Sequence, residues 1–405
     1  MIIYPEFRNR NPAGIRSREP YGRTRTHSVV VPLFLCFAVT LTARLPADIQ
    51  LTYGTQQTFR YRHRDINVIG TAAVPQPVRS SVYQLNDAVP VAFYVKGTDA
   101  KLDRISRNRL QSAGDFNIEI PVKSPRLVAG KNKLTIRVTD SDGQPHEATM
   151  TFAWDPTSIP LPIDLTDVSE VRDIQHIGQI VNGVFQVDAS RNVIRTCSPV
   201  AKDALLLLGS PHGSQEATYG VRIPKLGGTF LGLSDFFAGH EPAAPHIGIK
   251  PGWSSAGLAT IRPDPEKAAQ VWLAWGDLLD RPEKWVVKTD PPRPYPVELG
   301  GEYRVRHQVF FEGGVNRCRF RIWPAGESEP DVWLCEEDDS AVPNDKTKFR
   351  AASFGLFQYG GEPTEWFDIR IRPLRPSPPA VGGNDEDRAQ PHAAQSRLRL
   401  RIDAN

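Results

Sequence analysis

Short runs in which apolar and polar residues alternate fill the chain from about residue 66 onwards. "PVAFYV" (90–95), "DFNIEIPV" (115–122), "NKLTIRVT" (132–139) and "EATMTFAW" (147–154) each repeat with a period of two, the spacing of a half-buried β-strand. Leu134, Ile136 and Val138 share one face of the third run, and Met150, Phe152 and Trp154 share one face of the fourth. The intervening "VAGKN" and "DSDGQPHE" supply the Gly and Asp that chain reversals need. This spacing of strands and turns predicts an immunoglobulin-like β-sandwich over residues 66–154. "DPTSIPLPID" follows with three prolines in ten residues, which predicts a stiff linker over 155–170.

The same period continues from 171 to 375. Candidate strands include 183–188, 192–196, 218–224, 245–250, 270–275, 283–289, 352–359 and 366–372. In "EYRVRHQVFFE" (302–312), Tyr303, Val305, His307, Val309 and Phe311 alternate with Arg304, Arg306, Gln308 and Phe310. In "RCRFRI" (317–322), Arg317, Arg319 and Arg321 oppose Cys318, Phe320 and Ile322, and "PAGESEP" then turns the chain towards a second apolar run holding Cys335. No amphipathic helical stretch longer than about ten residues occurs. The expectation is an all-β chain, with the first sandwich followed by a larger jelly roll. Residues 376–405 are rich in Pro, Gly and Ala and poor in apolar residues, which predicts a disordered tail.

Composition agrees: 36 Pro and 31 Gly against two Met suit turn-dense β structure. Charge changes the picture more. Residues 1–45 carry seven Arg and two Glu, a net of +5, so the rest of the chain sums to −2 of the overall +3. The basic character sits in the leader, which argues against a nucleic-acid-binding body with a concentrated cationic face. Within that leader, "SVVVPLFLCFAVTL" (28–41) follows an Arg-rich segment and precedes small residues, the order of an export signal. The run is shorter than the ~20 residues of a membrane span. Residues 1–47 are therefore expected to be a signal peptide or an N-terminal membrane anchor, and the protein to be secreted or displayed at the cell surface.

Candidate chemistry is sparse. Cys318 and Cys335 lie equally far from the centre of the turn Trp323–Pro330, so a symmetric hairpin would bring them face to face as a cross-strand disulfide; two buried free thiols are the other reading. The alternating arginines form one solvated strand face, read either as surface protection or as a patch for anionic sugars or phosphates. Glu336, Glu337, Asp338, Asp339 and Asp345 crowd one loop, where hard oxygen ligands suit Ca²⁺, although a charge run is more often merely solvated. Trp253, Trp272, Trp275 and Trp285 fall close together; exposed indoles stack on pyranose faces, and core packing is their other use. Glu302, Glu312 and Glu365 are candidate acids for glycan cleavage, but they lack the closely spaced carboxylate pattern of a glycosidase strand. No G-x-S-x-G, H-E-x-x-H or phosphate-binding glycine loop is present.

"QHIGQIVNGVFQVDASRNVIRT", "VWLAWGDLLDRPEKWVVKT", the Trp323–Trp333 hairpin with Pro324, Gly326, Glu329 and Pro330, and the closing Phe367–Asp368 strand resemble bacterial concanavalin A-like (laminin G-like) jelly-roll domains. The segment before them is similar to the immunoglobulin-like modules that accompany such domains. The resemblance implies binding of extracellular carbohydrate or glycoconjugate, sometimes glycan cleavage, and often a structural Ca²⁺, for which Asp368 matches a nearby position. The sequence reading is thus an exported, non-catalytic glycan-binding protein with no nucleic-acid partner; a glycan-cleaving enzyme on the same jelly roll is the alternative.

Overall fold

The computed structural model of the chain describes residues 48–374, except 61–64, 75, 101, 104–108, 198–199, 201–203, 224–230, 238–253, 263–268, 278–286, 290, 313–314, 341–350 and 359. The leader, the tail, Trp253 and Trp285 lie outside the described residues.

Eight strands build the first sandwich: β1 (Asp48–Leu51), β2 (Gln56–Arg60), β3 (Asp65–Ala73), β4 (Val78–Leu85), β5 (Val91–Ala92), β6 (Asp115–Pro121), β7 (Gly130–Asp140) and β8 (Pro145–Asp155). One sheet runs β1-β3-β6 and the other β2-β8-β7-β4-β5, with β2 parallel to β8. The alternation seen in the sequence fills the space between them. Leu134, Ile136, Val138, Met150 and Phe152 from the larger sheet and Ile66, Val68, Phe116 and Ile118 from the smaller are all buried.

The larger sandwich starts inside the Pro-rich segment. β9 (Ile163–Leu165) pairs with β24 (Glu365–Pro373), and Ile159, Ile163 and Leu165 are buried. Between them come β10 (Gly178–Asn182), β11 (Phe185–Asp188), β12 (Val193–Thr196), β13 (Ala204–His212), β14 (Gln215–Arg222), β15 (Leu231–Phe237), β16 (Ser254–Arg262) and β17 (Ala269–Asp277). β18 (Val287–Lys288), β19 (Arg293–Tyr295), β20 (Glu302–Glu312), β21 (Val315–Pro324), β22 (Cys335–Asp338) and β23 (Ala352–Gln358) complete the set. One sheet runs β10-β13-β23-β15-β16-β17-β18 and the other β11-β12-β24-β14-β20-β21-β22. The last two strands thus lie inside the two sheets, so the chain end completes both layers. The core holds Leu206, Leu208, Val271, Leu273, Phe354 and Leu356 from the first sheet and Tyr219, Val305, Phe320, Trp366 and Ile371 from the second. The all-β sandwich expectation holds.

The two sandwiches share a polar seam. β3 and β6 bury both faces: Ile66, Val68, Phe116 and Ile118 turn to their own core, while Asn67, Asn117 and Glu119, at the alternate positions, are buried as well. Their partners come from β10. Asn117 Nδ2 donates to Val181 O at 2.8 Å and to Asn182 Oδ1 at 3.1 Å, and Gln179 Nε2 donates to Asp65 O at 2.7 Å. Arg109 and Glu119, fully buried, pair at 2.7 Å, and Asn182 Nδ2 donates to Arg109 O at 2.9 Å. Buried polar groups need such partners because lost water contacts are otherwise uncompensated.

Candidate ligand-binding cleft

β24, β14, β20 and β21 lie side by side, and their registers align the residues of the outer face in rows. Across one row stand Phe367, Gly220, Arg304 and Trp323; across the next, Arg370, Thr218, Arg306 and Arg321; across a third, Arg372, Glu216, Gln308 and Arg319. The opposite parity, Tyr303, Val305, His307, Val309, Cys318, Phe320 and Ile322, is buried in the core, as the alternation predicts.

Local chain geometry shapes the first row. β24 carries one extra residue opposite Thr218–Gly220, where Asp368 adopts φ 50°, a bulge that re-aims neighbouring side chains. Phe367 lies over Gly220, so that a Cβ there would meet its ring at 2.2–2.6 Å. The Arg304 guanidinium stacks on Phe367, 5.0 Å from the ring centroid, and reaches Asp368 at 2.7 Å. Stacking and ion pair together fix its plane.

The other rows form a continuous ionic network. Arg306 makes a two-pronged contact with Glu329, at 2.5 and 2.8 Å, and bonds Glu216 at 2.7 Å. Glu216, with its side chain 2% exposed, also accepts from Arg372 at 2.6 Å and from Gln308. Burial alone would push the Glu216 carboxyl up, but hydrogen bonds from Gln308 and Arg306 and the charges of Arg306 and Arg372 outweigh it and hold it low. The hydrogen bond from Arg306, followed by the charges of Arg306 and Arg321, holds Glu329 low as well. Trp333 folds back from the β21–β22 connection, with Arg319 and Arg321 stacked on it at 4.7 and 4.3 Å.

Between these rows and the hairpin tip lies a cleft of about 200 Å³ lined by Thr218, Arg304, Arg306, Trp323, Glu329 and Arg370, among others. It presents guanidinium donors and carboxylate acceptors in fixed positions beside an indole. The acids proposed for hydrolysis are committed elsewhere: Glu365 bonds Arg191 and Arg222, and Glu302 bonds Arg222. The side chain of Glu312 lies outside the described residues.

Several sequence expectations change here. The Cys318–Cys335 disulfide does not form, and both cysteines are buried. The β21–β22 hairpin is shifted by two residues from the symmetric register, so Cys335 faces Phe320 and Cys318 faces Glu337. The shift comes from the connection, where Trp333 packs on the arginines and Leu334 N bonds Phe320 O at 3.0 Å. His307 Nε2 instead lies 3.0 Å from Cys318 Sγ, and burial pushes the Cys335 thiol up to about 11. Asp368 is engaged by Arg304 at 2.7 Å. In the acidic loop, Asp339 is buried and accepts from Asn316 N and Nδ2, both at 2.8 Å, which ties it into the sheet. Trp272 and Trp275 lie on β17, with Trp272 paired to Thr260, but their side chains, like Trp253 and Trp285, lie outside the described residues. The cleft's indole, Trp323, enters the sequence reading only as a mark of the fold. The signal was present in the shared parity of Trp323 with Arg319 and Arg321.

No protein-family model matches the chain, and comparison with curated proteins finds no match. Among solved structures it is similar to the carbohydrate-binding module CBM66 from Bacillus subtilis, at 10% identity and a TM-score of 0.28, covering 48% of this chain and 94% of that one. It is also similar to a xylan β-1,4-xylosidase from Bacillus halodurans, at 10% identity and a TM-score of 0.34, covering 76% of this chain and 62% of that one. A third is winged bean acidic lectin complexed with methyl-α-D-galactose, at 10% identity and a TM-score of 0.32, covering 52% and 96%.

Proposed function

We propose that this chain is a non-catalytic glycan-binding protein of concanavalin A-like type, exported by its leader and preceded by an immunoglobulin-like module, with the β24-β14-β20-β21 cleft as its site. The observation that carries the reading is the fixed set of donors and acceptors beside Trp323. Vicinal sugar hydroxyls both donate and accept, so they pair with coplanar guanidinium and carboxylate groups, while the C–H face of the ring covers an indole. Because the ion pairs hold these groups before a ligand arrives, little side-chain entropy is lost on binding.

The chemistry supports binding over hydrolysis. A glycosidase keeps one carboxyl protonated to serve as acid, whereas Glu216 and Glu329 are both held below the ordinary range by their arginines. A glycan array with the purified protein tests the reading, followed by titration of the best ligand against Trp323→Ala. Removing a stacked ring is expected to weaken binding by about tenfold or more. Failure to bind any glycan, or unchanged binding by the variant, would sink it.

A further inference from the structure

β14, β20, β21 and β24 together contain eight arginines and no lysine, against five carboxylates. Their net of +3 stands within a body that sums to −2, so the rest of that body carries −5. The surplus is local to these four strands, because the flanking strands β9, β11, β12 and β22 of the same sheet carry five carboxylates against one arginine. Arginine in place of lysine on every one of these positions is the choice that suits planar, two-pronged recognition of oxyanions.

The pairing within the cleft is uneven. Arg306 is fully engaged by Glu329 and Glu216. Among the described residues Arg370 forms its ion pair with Asp164, at 3.6 Å, with both side chains 60% exposed, an arrangement worth little as an ion pair. Arg304 reaches Asp368 through Nη1 at 2.7 Å and stacks on Phe367. A guanidinium has five N–H donors, so Arg370, with support from Arg304, has capacity for an incoming oxyanion at the cleft wall.

From this geometry we infer that the ligand is an acidic glycan, its carboxylate or sulfate ester held by the Arg370 fork while the sugar ring rests against Trp323. The inference rests on the glycan reading above and narrows it to a substrate class. The contact is a charge pair at an exposed guanidinium, so binding weakens as salt rises.

The test compares one backbone in two charge states: an oligogalacturonate and its fully methyl-esterified form, titrated against the full chain by calorimetry. A sulfated oligosaccharide and a single-stranded oligonucleotide form the remaining arms. The acidic oligosaccharide is expected to bind about tenfold or more tighter than its ester, with that preference lost in Arg370→Gln and only partly kept in Arg370→Lys. Arg370 is exposed enough that the variants should fold, and an unchanged Tm checks this. Tighter binding of the sulfated ligand supports the inference and identifies the oxyanion as a sulfate ester. Equal binding of acid and ester, with glycan binding intact, overturns the inference and leaves the glycan reading standing. An oligonucleotide bound as tightly as the acidic glycan overturns it as general polyanion attraction. Absence of binding to every glycan overturns both.

Discussion

Gly220 shows how one residue supports a cleft wall at one remove. Its missing side chain makes room for Phe367, and Phe367 in turn supports Arg304. A methyl group there would push into the ring at under 3 Å, so the aromatic must move and take the guanidinium with it. Gly220→Ala is expected to destabilise the fold by about 1–3 kcal/mol, the usual cost of overpacking, as read from urea denaturation, and to weaken ligand binding further than the stability loss explains. A variant as stable as the parent with unaltered binding would show that the Phe367 position does not matter. This contact was invisible in the sequence. Period-two alternation set Arg304 opposite Tyr303 and Val305, both buried, but the extra residue at Asp368 shifts the register, and single-residue bulges leave no mark in a hydrophobic pattern.

At the scale of the element, the β21–β22 hairpin carries both the most legible and the least legible information. Its strands were plain from Cys318, Phe320 and Ile322, all buried. Its register was not, because tertiary packing of Trp333 on Arg319 and Arg321 overrides the symmetric turn that the residue count suggests. The cysteine pairing failed for that reason alone. The same hairpin delivers Glu329 to Arg306, which gives the element a pH dependence. The hydrogen bond and charge of Arg306 hold Glu329 below its ordinary value of 4.5, and Glu216 is held low despite its burial. A carboxyl depressed in the folded state contributes stability that is complete above its unfolded value and is lost as pH falls through its folded value. Tm should therefore be level near neutral pH and fall below about pH 4.5. Glu329→Gln should lower Tm at neutral pH and flatten the acid limb. An acid limb as steep as the parent's would show that the Glu329–Arg306 contact contributes little.

At the scale of the whole molecule, the Pro-rich segment and the β3–β10 seam decide whether the sandwiches behave as two bodies or one. Three prolines in ten residues predicted a spacer, yet Ile159, Ile163 and Leu165 are buried and β9 joins the second sheet. Composition reports stiffness and cannot report what a stiff segment packs against. The seam was equally hidden, since Asn67, Asn117 and Glu119 look like ordinary outward residues of half-exposed strands until β10 covers them. Its centre is the Arg109–Glu119 pair, with side chains 0% and 2% exposed. Breaking a buried pair strands a charge and costs about 3–5 kcal/mol, and here the loss falls where the two sandwiches meet. The parent should unfold in a single calorimetric transition, because neither sandwich can separate without exposing the buried amides and carbonyls of the seam. Arg109→Ala should lower Tm and split that transition, with the first sandwich melting ahead of the second. Replacing both partners together, by Arg109→Met with Glu119→Leu, should recover much of the loss, since no charge is then left buried. Two transitions in the parent, or a double variant as damaged as the single, would show that the seam is not what joins the two halves.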